Sequence, residues 1–319
     1  MKQGLPASTK SELAMKLFMG HYLRWAKDHA EDNNVLEQDR IHILLAFQRA
    51  YSEWQNGRIP MELAATFVSS VNSFARFLGY RGELQERINW GKQALEVAEQ
   101  TGQLSAVAEL CASTIAWPLL QIGNHEEAKK YCEQGIQAAR QSKEPRWMGE
   151  AARTLSGIAR DQNRGDESKD WAKRAFRYGR EARDKRVKRG AVLDLGYAAL
   201  LHQNYTAAER RFRLLLNLAK EDDDKERMAN RSVAVAIALL DQGLTEEPFH
   251  LYQSALALGE ELESEVIMGE AESLLGKIEQ VRGDASHAKE LALSATRRFE
   301  RVGIRRQSRA EQFVVLGSR

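Results

Sequence analysis

The chain has 319 residues, 43% hydrophobic and 29% charged, enough to bury an extended core. Only five prolines and 22 glycines interrupt a composition of good helix formers, which points to an all-α protein. The 47 basic and 45 acidic residues leave a net charge of +2, so bulk charge gives no reason to expect nucleic acid.

Two cysteines, Cys111 and Cys132, are too few for a disulfide framework or a zinc site and fit a reducing compartment. The opening MKQGLPASTKSELAMKLF has charges where a signal peptide needs an apolar run. No stretch is read as approaching the ~18 apolar residues of a membrane span. A cytoplasmic location is therefore expected, with no membrane partner.

In chain order, residues 1–60 read as an N-terminal helical cap whose helices occupy roughly 11–56. Residues 61–303 carry a repeat. The blocks GELQERINWGKQAL, GNHEEAKKYCEQGI, NRGDESKDWAKRAF, QNYTAAERRFRLLL, GLTEEPFHLYQSAL and GDASHAKELALSAT align without gaps. Their starts at 82, 123, 163, 203, 243 and 283 differ by 41, 40, 40, 40 and 40. The first column, Gly82, Gly123, Asn163, Gln203, Gly243 and Gly283, suits a left-handed turn between two helices. Small residues six positions in, Ala128, Ser168, Ala208 and Ala288, allow close helix approach, with Arg87 and Pro248 breaking the column. The final two columns, which include Ala94, Leu95, Ala175, Phe176, Leu215 and Leu216, read as a buried seam. Between blocks, apolar residues at three- and four-residue spacing mark the first helix of each pair. Within one of these, 106–121, Pro118 should bend the helix. A helical hairpin cannot bury its apolar face alone, so neighbouring units must stack. Residues 304–319 are expected to supply a closing helix near 304–315 and a tail.

The GNHEEA and GDASHA turns, together with Leu195-Gly196 and Leu275-Gly276 in the preceding helices, resemble the tetratricopeptide repeat over roughly 61–313. That resemblance implies a right-handed superhelical solenoid of six hairpins of about 40 residues each, longer than the family's usual period of 34. The segment from His21, with Leu36-Glu37, Trp54 and a Leu78-Gly79-Tyr80 turn, resembles the sensor arrays of STAND signalling ATPases. No G-x-x-x-x-G-K-[ST] phosphate loop is present, so this would be the sensing part without the motor.

Chemistry is sparse. The histidines form no H-E-x-x-H or Cys/His ligand set, and no G-x-S-x-G elbow occurs. Cys132 shares a repeat column with Gly91, Ala172, Phe212, Tyr252 and Ala292 and reads as packing. No enzyme activity, metal or cofactor is expected. The run KRAFRYGREARDKRVKRG offers Arg177, Arg180, Arg183, Arg186 and Arg189 as an anion-binding patch, against the simpler reading of a solvated helix surface. Nucleic acid is admitted by this run but not favoured, because aromatic interleaving is thin.

The tetratricopeptide resemblance implies that the first helix of each pair lines the concave face. Counting back from each turn places Asn72, Arg76, Ser113, Trp117, Glu150, Arg153, Arg160, Tyr197, Asn230, Glu270 and Lys277 there. Leu193 and Leu200 fall on the same stripe, which means either an apolar pocket or a slipped register. The mixture suits a protein or peptide partner, since Arg, Asn, Trp and Tyr recognise backbone and carboxylate groups. The expected function is a scaffold or sensor in a signalling or regulatory complex. The alternatives are a regulator sensing a small peptide or ligand and an anion- or nucleic-acid-binding adaptor.

Overall fold

The computed structural model describes the backbone of residues 7–302 and side chains from residue 12 onward within it. The closing helix expected near 304–315 lies outside the described residues. The elements are α1 (Ala7–Asp28), α2 (Asn33–Gln38), α3 (Arg40–Gln55), α4 (Met61–Tyr80) and α5 (Leu84–Gln100). After these come α6 (Leu104–Glu109), a π-helical turn (Leu110–Ile115) and α7 (Ala116–Gln121), which form one interrupted helix, and then α8 (His125–Gln141). The chain continues through α9 (Pro145–Asp161), α10 (Gly165–Glu181), α11 (Lys185–Leu201), α12 (Tyr205–Glu221), α13 (Lys225–Leu240), α14 (Glu246–Glu261), α15 (Glu265–Arg282) and α16 (Ala285–Arg301). No strand occurs among the described residues. From α4 onward each helix packs on the next, and the chain is an all-α array of helical hairpins.

Turn chemistry sets the period. Every residue of the first repeat column has positive φ: Gly82 76°, Gly123 78°, Asn163 57°, Gln203 56°, Gly243 83° and Gly283 92°. Half a repeat later the chain turns left-handed again at Gly102, Lys143, Arg183, Asp223 and Glu263. Most of these residues are not glycine, which is why the second turn escaped the sequence pattern. At many turns the next residue does two jobs. Asn124 donates its N–H to Leu119 O at 2.9 Å, closing the old helix, and its side chain accepts from Glu127 N–H, starting the new one. Asp184, Asn204, Asp224, Ser264 and Asp284 repeat this device.

Helix contact depends on small residues. Ala116, Ser156, Gly196, Ala236 and Gly276, one per first helix, are all buried. A Cβ on Gly196 would collide with the ring of Phe212, the bulky member of the facing column, so that glycine makes room for that ring. Ala94, Gly135, Ala175, Leu215, Ala255 and Ala295 are buried, as expected of the seam. Phe176, placed in the seam by the alignment, is instead 37% exposed: its column faces outward at α10, where the adjacent Ala175 takes the interior. Ala288 is only partly buried because α16 is the last described helix. Leu78, Gly79 and Tyr80 are the end of α4, not a turn.

Pro118 disturbs its helix through a π-helical turn rather than a simple bend. Across that turn hydrogen bonds run to the fifth preceding residue, as from Ala116 N–H to Cys111 O. The same pattern would pair Ser113 O with residue 118, which as proline has no N–H. Arg87 of α5 supplies the missing donor, Nη2 to Ser113 O at 2.8 Å. Burial pushes the Arg87 guanidinium down to about 10. Its Nη1 lies where a Cβ on Gly79 would come within 2.7 Å. The break at Arg87 in the small-residue column thus has a structural cause.

Leu104–Gln121 is long and apolar enough to cross a membrane by length and composition, with mean hydropathy 1.2, contrary to the sequence reading. It is 61% buried inside the array, as a central core helix would be.

The two ends of the array meet. Tyr80 Oη donates to Leu262 O at 3.4 Å, and a Cβ on Gly82 would lie 2.7 Å from Val302 Cβ. Leu84, Ala295 and Phe299 form a shared apolar cluster with Ile122, Val266 and Val302. Successive first helices also pack on one another: α7 on α9, α9 on α11, and α13 on α15. Contacts of similar extent between successive second helices are absent among the described residues. The first helices therefore lie on the inside of the curve.

Candidate binding face

The inner stripe is built from one or two polar residues per first helix. On α4, Asn72 Oδ1 accepts from Thr114 Oγ1 at 2.8 Å, linking the first two hairpins. Trp117 of α7 is stacked by Arg153 of α9, whose guanidinium carbon is 5.8 Å from the ring centre. Arg153 Nε donates to Asp194 Oδ2 at 3.0 Å, and its Nη1 donates to Glu150 Oε2 at 3.0 Å. Arg160, one helical face further along, stacks on Tyr197 at 4.9 Å and pairs with Asp161 at 3.3 Å. A Cβ on Gly190 would collide with the Arg153 guanidinium, so this glycine opens the space that Arg153 fills.

The electrostatics follow from burial. Burial opposes the charge of Arg153, but the Asp194 and Glu150 carboxylates outweigh it and hold its pKa above the ordinary value. Burial pushes Asp194 above the usual carboxylate range, against the pull of Arg153 and Arg160. Arg231 of α13 feels burial as a downward push, with Tyr197, Asp194 and Glu270 favouring its charge and Arg153 opposing it.

The structure thus joins Trp117, Glu150, Arg153, Arg160 and Tyr197 into one cluster. Glu270 acts on it through Arg231. Asn72 lies on the stripe nearer the N-terminus, and Arg76 is exposed and paired with Glu31 in the α1–α2 connection. Asn230 and Lys277 are partly buried on α13 and α15. Leu193 is buried in the core, and it is the neighbouring Asp194 that reaches Arg153; the turns at Asn163 and Gln203 keep their spacing, so the register does not slip. Leu200 is partly buried against apolar neighbours, so no mid-groove apolar pocket is formed by this pair.

Asp194 and Arg231 were missed from sequence. The signal for Asp194 was a carboxylate inside the apolar run Leu193-Asp194-Leu195, in the column of Thr114 and Thr154. Arg231 stands in a column otherwise filled by small residues.

The basic run splits across two helices. Arg177, Arg180, Arg183 and Arg186 are exposed, Arg183 at the left-handed turn, whereas Arg189 is partly buried and paired with Asp222. Elsewhere Glu279, Asp284 and His287 bring one ligand atom each within 4.8 Å of one another. Glu279 is bridged by Arg282 at 3.2 Å, and Asp284 caps α16. Cys111 and Cys132 are free and buried; burial pushes the Cys111 thiol up to about 12 and Cys132 higher still.

The fold is an all-α array of helical hairpins, the architecture that the tetratricopeptide resemblance implies. No known family profile matches the chain, and no curated protein matches it. Among solved structures it is similar to apo RapI, with a TM-score of 0.67 at 13% identity, covering 89% of this chain and 99% of that one. It is similar to a Rap protein complexed with competence and sporulation factor, at 0.60 and 12% identity, covering 95% and 96%. A third is aspartyl phosphate phosphatase F from Bacillus subtilis, at 0.51 and 10% identity, covering 99% and 94%. At these identities the likeness is one of fold.

Proposed function

We propose that the chain is a non-catalytic scaffold or sensor that holds a protein or peptide on its inner face within a cytoplasmic signalling or regulatory complex. The observation that carries this reading is the stripe of Trp117, Arg160 and Tyr197 with the locked Arg153 on successive first helices. Stacked aromatic and guanidinium groups give large contact area at low entropic cost and hydrogen-bond a peptide backbone. Arg153 is committed to Asp194 and Glu150 and so shapes the face, with Trp117, Arg160 and Tyr197 beside it. The cap formed by α1 to α3 packs on α4 and supports a continuous array.

A second reading, a sensor whose curvature responds to a small peptide or ligand, is favoured by the meeting of the ends at Leu84, Phe299 and Val302. One of the similar structures is a complex with competence and sporulation factor, which supports the same idea. The test is a photo-cross-linking amino acid placed at Trp117 or Tyr197, and at exposed Leu214 on a second helix, in the native host. Adducts from the inner positions and none from Leu214 are expected. Adducts from Leu214 alone would move the binding surface to the outside.

A further inference from the structure

The cap carries apolar side chains that the described residues leave uncovered. Leu13 and Leu17 lie four residues apart on α1, and Ile41 and Leu45 four apart on α3, so each pair shares one helix face. Ile41 is 73% exposed and Leu17 64%, and Leu13 and Leu45 are half-exposed. The two helices are joined beside these residues: His42 stacks on Tyr22 at 5.0 Å and meets Phe18 edge-on at 6.4 Å. Leu17 and Ile41 are the chain neighbours of Phe18 and His42. A lone exposed leucine is ordinary, whereas four large aliphatic side chains on two packed helices mark an interaction surface.

The described chain ends beside this surface. Val302 packs on Gly82, the next residue Glu83 accepts from Arg40 Nη2 at 2.6 Å, and Arg40 directly precedes Ile41. Residues 303–319 follow in the sequence, with Arg305, Arg306 and Arg309 and then the apolar run Phe313-Val314-Val315-Leu316. The stretch 303–312 that separates Val302 from this run can reach about 33 Å extended or about 15 Å as a helix, in either case more than the breadth of one helix. Charge is complementary along the way. The guanidinium groups of Arg40 and Arg81 face the carboxylates of Glu37, Glu83 and Glu86, and Asp39 adds a fourth acid beside His42, so the margin that the arginines of 303–319 would cross is negative. We propose that 303–319 turns back over this acidic margin and seats its apolar run 313–316 on Leu17, Ile41 and Leu45, latching the last hairpin to the cap. The latch is independent of what the inner face binds. It adds a second tie between the ends of the array to the apolar contact of Leu84 with Phe299.

In the full chain, Ile41→Cys is combined in turn with Phe313→Cys, Val314→Cys, Val315→Cys and Leu316→Cys and oxidised with glutathione disulfide. At least one pair should give an intramolecular disulfide, read by peptide mass spectrometry of the monomer. None should form when Leu214→Cys, exposed on α12, takes the place of Ile41→Cys. Limited trypsin digestion of the full chain then follows cleavage after Arg305, Arg306 and Arg309. Leu17→Asp and Leu45→Asp change exposed positions, so their melting curves should match the parent, while cleavage should become about tenfold faster as the latched population falls. Leu316→Asp should do the same from the other side of the contact. Absence of any disulfide between position 41 and 313–316 overturns the latch, as does cleavage as fast in the parent as in the three variants. Disulfide-linked dimers in place of the intramolecular species would put a second copy on the face and overturn it too.

Discussion

Arg153→Ala removes the shared counterion of two carboxylates while leaving both in place. The side chains of Arg153, Asp194 and Glu150 keep only 17%, 7% and 21% of their exposure. Breaking a buried pair from one side typically costs about 3–5 kcal/mol, because the remaining charge is stranded. The double variant Arg153→Ala with Asp194→Asn strands no charge at position 194 and should recover part of that loss, giving a coupling of about 0.5–3 kcal/mol. The pH dependence has a definite sign. Asp194 sits above the usual carboxylate range even with Arg153 present, and without it the carboxyl rises further. A folded pKa above the unfolded one means the native state binds the extra proton, so stability increases as pH falls through the folded pKa toward the unfolded value. The deficit of Arg153→Ala should therefore be smaller at pH 5 than at pH 7.5. Urea unfolding followed by far-ultraviolet circular dichroism measures the parent, Arg153→Ala, Asp194→Asn and the double variant at both pH values. Additive single effects below about 1 kcal/mol, with no pH-dependent recovery, would refute the buried-pair account.

Arg87→Ala should cost about 1–3 kcal/mol by leaving Ser113 O without a donor, and Pro118→Ala on that background should restore stability by returning an N–H to the helix; thermal melts of the pair decide it, and an unrescued loss would assign the effect to packing alone. The thiols of Cys111 and Cys132 should resist iodoacetamide at pH 8 in the native state and react only in denaturant, since burial holds them protonated. Labelling at native rates equal to those of the unfolded chain would contradict this. Removing the apolar contact between the ends with Phe299→Asp should enlarge the radius of gyration in small-angle scattering while leaving helical signal unchanged. An unchanged radius would mean that the end contact does not hold the curve.

The repeat was legible because its turn column needs left-handed backbone at a fixed spacing, and Gly82, Gly123, Asn163, Gln203, Gly243 and Gly283 all adopt it. The intervening turns were not, since Lys143, Arg183, Asp223 and Glu263 carry the same conformation on residue types that do not announce it. On the inner face, counting back named Trp117, Arg153, Arg160 and Tyr197 and passed over Asp194, the neighbour of Leu193. Hydrophobic spacing fixes which side of a helix is buried, not which of two adjacent residues reaches a neighbouring helix. Arg231 was invisible to a search for exposed positions because its Cα lies in the column of buried alanines. Only the folded packing shows that burial lowers its pKa while Tyr197, Asp194 and Glu270 favour its charge. Pro118 was visible from sequence, but its partner Arg87 lies on another helix and required the packing to be known.

The most direct test of the inner face is the affinity, by calorimetry, of the partner cross-linked from Trp117 or Tyr197 for Trp117→Ala, for Arg160→Ala, and for the triple reversal of exposed Arg180, Arg183 and Arg186 to Glu. The account predicts a loss of about 1.5–3 kcal/mol, roughly 10- to 150-fold, in each inner-face variant and unchanged affinity in the reversal. Full affinity in both inner-face variants, with their melting curves intact, and loss in the reversal would contradict it and return the basic run to the centre of the molecule's function.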